Sequence, residues 1–460
     1  LKETTVMRMG WKQESEPACL EAGELSYSGR VGSLFMPVAA PFPEPEIELP
    51  VVSEFPARVR SYPQLRFMGS KHRLLPWLHE ILGQVEFDTA LDAFSGSGCV
   101  AYLLKSMGKE VTTNDFLNFA SVLSTALVEN SGEILRPQDV ARLLAQPTER
   151  ERFIEDTFQG IFFTPDDLRF LDGIWANLRK MRNPYRKSLA LSALIRSCVK
   201  RQPRGVFTVA GDPERYKDGR RDLRLSLREH FVEQVQIFNQ SVFDNGRHNR
   251  ALRGDVFAVE PGAFDLVYMD PPYVPRADDN CYMKRYHFLE GLSCYWQGMT
   301  LLEETRVKKI KKPYTPFSYR RDSLQAFDRL FSHFRRSILA LSYSSNGYPN
   351  LDVLVQLMRQ HKKSVTVFQK EHRYHFGTHS AVNRSVVNEY LILGHDAPLR
   401  HRRGHLEVTS QRPAEADRDA EPRAYHADLH LADVPGAPAG PSAAPFGARA
   451  SQSISSRISN

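Results

Sequence analysis

"LDAFSGSGCVAYLL", residues 91–104, holds the pattern that decides the fold. The short apolar run ending at Asp92 reads as a buried strand, and "GCVAYLL" spaces its apolar residues as a helix does. Between them, Gly96 and Gly98 let the backbone curl and approach a ligand closely, while the start of the helix offers free N–H groups. A second strand, "EVTTND", ends on Asp115, 23 residues beyond Asp92. Strand, glycine turn, helix and strand form a βαβ unit, the element of a parallel sheet. A carboxylate closing the second strand can accept both hydroxyls of a ribose, so a nucleoside cofactor is expected.

Two cofactor classes fit this turn. A G-x-G-x-x-A form of the dinucleotide fingerprint is satisfied by Gly96, Gly98 and Ala101, which keeps a nicotinamide enzyme in play. Against it, Asp92 stands where a pyrophosphate would meet a carboxylate, a position better suited to a cationic ligand such as a sulfonium amino acid.

Further along, "FDLVYMDPPYVPRAD" at 264–278 repeats the strand-then-acid arrangement. Leu266 to Met269 read as a strand buried on both faces, and paired prolines cannot continue a sheet interior. Asp270, Pro271, Pro272 and Tyr273 are therefore expected on a loop at the strand's carboxyl end, where open α/β sheets bind ligands.

Around these two landmarks the chain organises itself. Residues 1–60 include the proline-rich "PVAAPFPEPEIELP" and read as a disordered or loosely attached leader. The chain opens on Leu1, and Met36 is a candidate start. From 61 to 130 the helical "KHRLLPWLHEILGQV" precedes the βαβ unit. Residues 131–250 are mostly helical in pattern, an insertion into the sheet. Strands resume over 251–395 in "FDLVYMD", "SILALSYSS", "SVTVFQK" and "NEYLILG", alternating with the helical "SLQAFDRLFSHFRRS" and "LDVLVQLMRQH". The stretch from 396 to 460 ends rich in Pro, Ala, Gly and Ser and reads as a disordered tail.

Composition narrows the setting. The chain has 460 residues, 42% hydrophobic, and no apolar stretch approaches the ~20 residues of a membrane span. Its five cysteines make no CxxC pair, which argues against structural zinc or a disulfide scaffold and fits a cytoplasmic location. Between Arg179 and Arg228, 15 Lys or Arg face four acids, a greater excess than the net charge of +7 of the whole chain. Those cations interleave with Tyr185, Phe207 and Tyr216 in a pattern that suits phosphate contact as well as it suits a solvated helical face.

The linked motifs "LRFMGSK" at 65–71, "LDAFSGSG" and "DPPY" resemble the amino-methylating DNA methyltransferases, most closely the adenine-specific D12 class. The resemblance covers roughly residues 62–394 in motif order, the insertion matching in placement only. It implies a Rossmann-like methyltransferase sheet and S-adenosylmethionine as cofactor. It implies cofactor contacts from Phe67, Gly69 and Lys71, from Asp92, Phe94, Gly96 and Gly98, from Asp115, and from Asp255 and Phe257 in "GDVF". Ser70 stands where a second glycine is common.

The same resemblance makes Asp270 to Tyr273 the catalytic loop. Asp270 and the Pro271 carbonyl would each accept one hydrogen of an adenine amine, turning its delocalised lone pair toward the methyl, while Tyr273 offers a flat face to the extruded base. Paired prolines stiffen that carbonyl by fixing φ. The order of motifs makes the insertion a target-recognition domain, with Arg201, Arg204, Lys217 and Arg220 as contacts to double-stranded DNA. A cognate restriction endonuclease is the partner such enzymes suggest. N4-cytosine methylation and a catalytically silent DNA-binding module stay open as alternatives, while "YHFLEGLSCYW" adds a histidine, His287, for which the mechanism has no use.

Overall fold

Alternation along single strands puts the sheet between two apolar faces. The computed structural model describes residues 54–203, 205–211, 219–275, 282–373 and 386–397. In it, β1 (Thr89–Asp92) and β2 (Glu110–Asp115) lie parallel, followed in the chain by β3 (Arg250–Arg253) and β4 (Leu266–Met269). Ala90, Leu266 and Tyr268 enter one core, whereas Leu91, Val267 and Met269 enter the other. A two-residue period buried on both sides is what a central parallel strand requires.

Two short pairs flank the site: β5 (Val274–Pro275) with β9 (Gly347–Tyr348), and β6 (Leu301–Leu302) with β7 (Lys309–Ile310). The remaining strands are β8 (Ile338–Ser344), β10 (Ser364–Arg373) and β11 (Val386–His395). The seven-stranded sheet runs in the order β10, β11, β8, β4, β1, β2, β3. Pairs from β8 to β3 are parallel, and β11 runs antiparallel to both β8 and β10. This is the mixed α/β sheet expected of a methyltransferase fold.

Helices α1 (Leu75–Leu82) and α2 (Cys99–Ser106) bracket β1. Between β2 and β3 come α3 (Asn118–Ser124), α4 (Pro137–Leu144), α5 (Phe153–Phe158), α6 (Pro165–Leu178), α7 (Pro184–Arg201), α8 (Arg221–Arg224) and α9 (Leu227–Ser241). Their starts follow from local chemistry. Thr164 accepts from Asp167 N and Asn183 from Arg186 N, each with proline at the next position, and Ser226 with Glu229 forms a capping box. α10 (Tyr282–Cys294), α11 (Arg320–His333) and α12 (Leu351–His361) complete the fold.

The inserted helices share one core with the sheet, since Phe158, Leu194 and Phe231 belong to the same cluster as Tyr102 and Leu266. Polar ties reinforce this: Tyr102 donates to the Ser241 carbonyl at 2.7 Å, and the Trp175 indole donates to the Leu292 carbonyl at 2.9 Å. The edge strand β3 has no counterpart in the sequence pattern, because "RALR" is short, charged and nowhere fully buried. Residues 1–53 of the expected leader and 398–460 of the expected tail lie outside the described residues. Among the described residues, no helix is long and apolar enough to cross a membrane.

Candidate active site

Chain connections leave β1 toward β2 on one side and β4 toward β8 on the other, so the crevice of the sheet opens between β1 and β4. Asp92 is the last residue of β1, and Asp270 follows β4 directly. The strands are in register through Asp92 and Tyr268, and Ala93 N donates to the Tyr268 carbonyl at 2.9 Å. Both acids line one cavity of about 360 Å³.

The glycine turn forms its floor. Gly96 has φ of +49° and an added Cβ would lie 3.1 Å from the Phe67 ring, so only glycine lets the turn pass beneath that phenyl group. Gly98, at φ +77°, starts α2 behind the wall, where a Cβ would stand 3.0 Å from the Tyr62 hydroxyl. Asp115 pins the turn to β2 by accepting from Gly96 N at 2.7 Å, and it accepts from Leu117 N at 2.8 Å. Burial raises its carboxyl to about 6, against the pull of those N–H groups.

Asp92 is 1% exposed. Its Oδ2 accepts from Ala101 N at 3.2 Å, while Oδ1 is buried with no hydrogen-bond partner among the described residues. Burial, then the neighbouring charges of Asp270 and Asp115, push its carboxyl up to about 8. An unpaired buried carboxylate oxygen at a cavity wall fits a ligand that brings a hydrogen-bond donor, and a cationic donor satisfies it most strongly.

Phe67, Gly69 and Lys71 also line the cavity, as do Phe94, Asp255 and Phe257. Asp255 caps its short turn by accepting from Phe257 N at 3.0 Å. Phe257 has a near-parallel Phe317 ring 6.2 Å away and the Arg329 guanidinium 3.9 Å from its centroid. Phe317 closes against Phe94 edge to face at 5.4 Å. Phe317 and its neighbours from Lys312 to Ser318 are wall residues that the sequence did not single out, because nothing local marks the segment between a short strand and a helix as part of a distant pocket.

The loop from Asp270 to Tyr273 carries an ion pair that the sequence reading did not foresee. Lys71, read as a cofactor contact, puts its ammonium 2.8 Å from both carboxylate oxygens of Asp270 and 3.2 Å from the Gly69 carbonyl. Burial raises the Asp270 carboxyl, and the Lys71 charge opposes that rise. Pro272 lines the cavity and Pro271 is buried behind it. Tyr273 stands outside the cavity wall with its ring 5.1 Å from that of Tyr343. Gly347 of β9 permits this packing, since a Cβ there would lie 2.7 Å from the Tyr343 hydroxyl and 3.0 Å from the Tyr273 ring.

Residues of the "YHFLEGLSCYW" segment act as supports. Tyr286 stacks on Phe67 at 5.0 Å, and its hydroxyl accepts from Met68 N at 2.7 Å. His287 is fully buried with a ring nitrogen 2.8 Å from the Phe207 carbonyl, and burial lowers its imidazole to about 4. Glu290 accepts from Asn118 N at 2.9 Å and Phe119 N at 3.1 Å, fixing the start of α3 just beyond Asp115.

The cationic block of the insertion is largely engaged from within. Arg201 corrects the sequence reading: Nε lies 3.0 Å from Asp167 Oδ2 and the side chain is 10% exposed, so it is a buried ion pair, not an exposed phosphate contact. Arg220 donates to the Pro203 carbonyl at 2.9 Å. Arg186 pairs with Glu133 at 2.7 Å and Lys200 with Asp222 at 2.8 Å. Arg204 and Lys217 lie outside the described residues. No cluster of three metal-ligating side chains occurs among the described residues.

Comparison with known proteins agrees with this geometry. The family model of the D12 class N6 adenine-specific DNA methyltransferase matches residues 67–344. Type II methyltransferase M2.HphI of Haemophilus parahaemolyticus is 30% identical over 327 residues, covering 68% of this chain and 92% of that protein. Type II methyltransferase M.NlaIII of Neisseria lactamica is 21% identical over 67% of this chain and 92% of its own length. Modification methylase LlaI of Lactococcus lactis subsp. lactis is 22% identical over 64% of this chain and 49% of its own. With the matched region spanning both strand-end acids and the loops between them, the chain belongs to the D12 class of N6 adenine-specific DNA methyltransferases, enzymes that use S-adenosylmethionine.

Proposed function

We propose that Asp270 and the Pro271 carbonyl grip the N6 amine of adenine in duplex DNA, and that the glycine-turn cavity holds S-adenosylmethionine beside it. The observation that carries this reading is the meeting of Asp92 and Asp270 in one cavity at the ends of adjacent parallel strands. S-adenosylmethionine supplies a methyl group already activated by its sulfonium. The chain's own residues supply position and charge.

Asp92 Oδ1 receives the cationic end of the cofactor, which relieves a buried unpaired oxygen. Asp115 keeps lone pairs for ribose hydroxyls beyond its two backbone bonds. Phe94 and Phe257 give the flat apolar walls that an adenine ring needs. Lys71 holds Asp270 ionised and fixed in direction, and a carboxylate with about four lone-pair sites accepts an amine hydrogen beside an ammonium. Once the methyl is transferred, N6 releases one proton, for which Asp270 is the nearest anionic acceptor at the loop.

The test is transfer of labelled methyl from S-adenosylmethionine to duplex DNA, followed by nucleoside analysis. N6-methyladenine is the expected product. Asp270→Ala removes transfer and retains cofactor binding, and persistent turnover in that variant refutes the clamp. The names of the relatives point to the protective half of a type II restriction pair. DNA modified by this protein then resists an endonuclease encoded beside its gene, and cleavage of the modified DNA refutes that partnership.

A further inference from the structure

A second cationic run, "RVKKIKKPYTPFSYRR" at 306–321, holds seven Lys or Arg and no acid. Its first part includes β7, the second strand of the β6–β7 hairpin, and its middle, Lys312 to Ser318, is a wall of the active-site cavity. The run therefore carries positive charge from the surface to the wall of the cavity.

Its bonding differs from that of several cations of the insertion. There Arg179, Arg186, Lys200, Arg201 and Arg221 all face acids of the same chain. Here Arg306 and Lys311 are exposed and Lys309 half-exposed, and none of the three has a side-chain partner among the described residues. Beside them stands a pair of rings that water does not favour. Tyr314, 57% exposed, stacks on Tyr319 at 5.3 Å and 19°, and the Lys312 ammonium lies 5.0 Å from the Tyr319 centroid. Asp322 holds the Tyr314 hydroxyl at 2.7 Å, which fixes the ring with one face outward.

Free cations interleaved with an ordered aromatic platform are the chemistry that binds a nucleic-acid backbone and stacks an unpaired base. Methylation inside a duplex creates such a base, because the target must leave the stack and its neighbours lose their pairing geometry. We infer that the strip from Arg306 to Tyr319, in place of the cationic helices at 179–228, carries the DNA backbone next to the target adenine. Arg306, Lys309 and Lys311 take phosphates, and the outer face of Tyr314 takes a displaced nucleobase. This deepens the DNA methyltransferase reading and rests on it.

The experiment measures the affinity of the full chain for a fluorescent duplex as a function of salt, with S-adenosylmethionine binding recorded on the same samples. Arg306→Gln combined with Lys309→Gln and Lys311→Gln lowers the slope of log affinity against log salt by about 2 to 3, close to 0.9 per lost contact. Lys180→Gln with Arg182→Gln, exposed positions of the insertion, leaves it unchanged. Tyr314→Ala weakens binding about tenfold and Tyr314→Phe does not.

An unchanged slope in the triple variant overturns the inference, as does a slope that falls instead in the Lys180 and Arg182 variant. If the triple variant loses cofactor binding, Lys311→Gln alone carries the test, with a change of about 0.9 expected and none overturning. Absence of methyl transfer by the unaltered chain is a separate result, which strikes at the catalytic reading and not at the strip.

Discussion

Lys71 and Asp270 are 199 residues apart in sequence, and the lysine ammonium rests 2.8 Å from each oxygen of the aspartate. The lysine side chain is 4% exposed and the aspartate 21%, so the pair is shielded from solvent and only weakly screened. Burial pushes the Asp270 carboxyl toward its protonated form and the Lys71 charge opposes it, and a protonated acid would no longer present an all-acceptor face to an amine. In the proposed clamp the acid and its counter-charge therefore come from segments far apart in the chain.

Removing that counter-charge has a signed consequence for pH. Asp270 already titrates above an ordinary carboxyl because of burial, so activity is lost on the acid side as pH falls through its raised value. In Lys71→Met the opposing charge is gone and the acid limb moves to higher pH. The pH profile of single-turnover methyl transfer checks this. A limb that stays in place shows that Lys71 does not govern the protonation of Asp270.

Asp92 couples cofactor binding to protons. Its folded-state value of about 8 lies above the ordinary 3.8, so between these values the folded chain holds more protons than the unfolded one. Stability of the free protein therefore falls as pH rises through that window. A bound cation favours the carboxylate, so cofactor affinity rises with pH up to about 8 and binding releases a proton. Calorimetry in buffers of different ionisation enthalpy measures the release. Asp92→Asn flattens the pH dependence of Tm in the free protein and weakens cofactor binding, and a release that survives the substitution assigns the proton elsewhere.

Glu290 links α10 to α3, the helix after Asp115. Its carboxylate satisfies two N–H groups at the start of α3, and losing such a cap costs about 0.5–2 kcal/mol. Glu290→Ala loosens the segment from Asp115 to Leu117 along the cavity wall, raising the KM for S-adenosylmethionine with a smaller change in kcat. Glu290→Gln retains one acceptor and recovers part of the loss. Equal effects on both constants would show a general destabilisation instead.

Much of this fold is legible in the sequence because its central strands are buried on both faces and its helices carry their own start signals. β1, β4, β8 and β11 correspond to apolar runs and β2 and β10 to shorter strand-like patterns, whereas β3, at the sheet's edge, presents neither. The two strand-end acids and the glycine turn were legible because each sits in a local pattern. The Lys71 to Asp270 pair was not, since no local pattern records what a chain places opposite a residue 199 positions away. The same limit governs the cations of the insertion. Their number is plain from the sequence, but their use depends on Glu133, Glu151, Asp167 and Asp222 folding against them.

Arg201 separates the structural from the DNA-binding use of those cations. Asp167 accepts from its Nε at 3.0 Å and from Leu227 N at 2.9 Å, so one acid joins α6, α7 and the start of α9. Truncating one partner of a buried pair strands the other charge and costs about 3–5 kcal/mol, whereas replacing both with apolar groups costs far less. Arg201→Ala therefore lowers the denaturant midpoint strongly, and Arg201→Met with Asp167→Leu recovers much of it despite losing the Leu227 cap. The salt dependence of DNA affinity is unaltered in the folded fraction of both. A reduced salt slope in Arg201→Ala, with stability preserved, would return this arginine to the phosphate contacts.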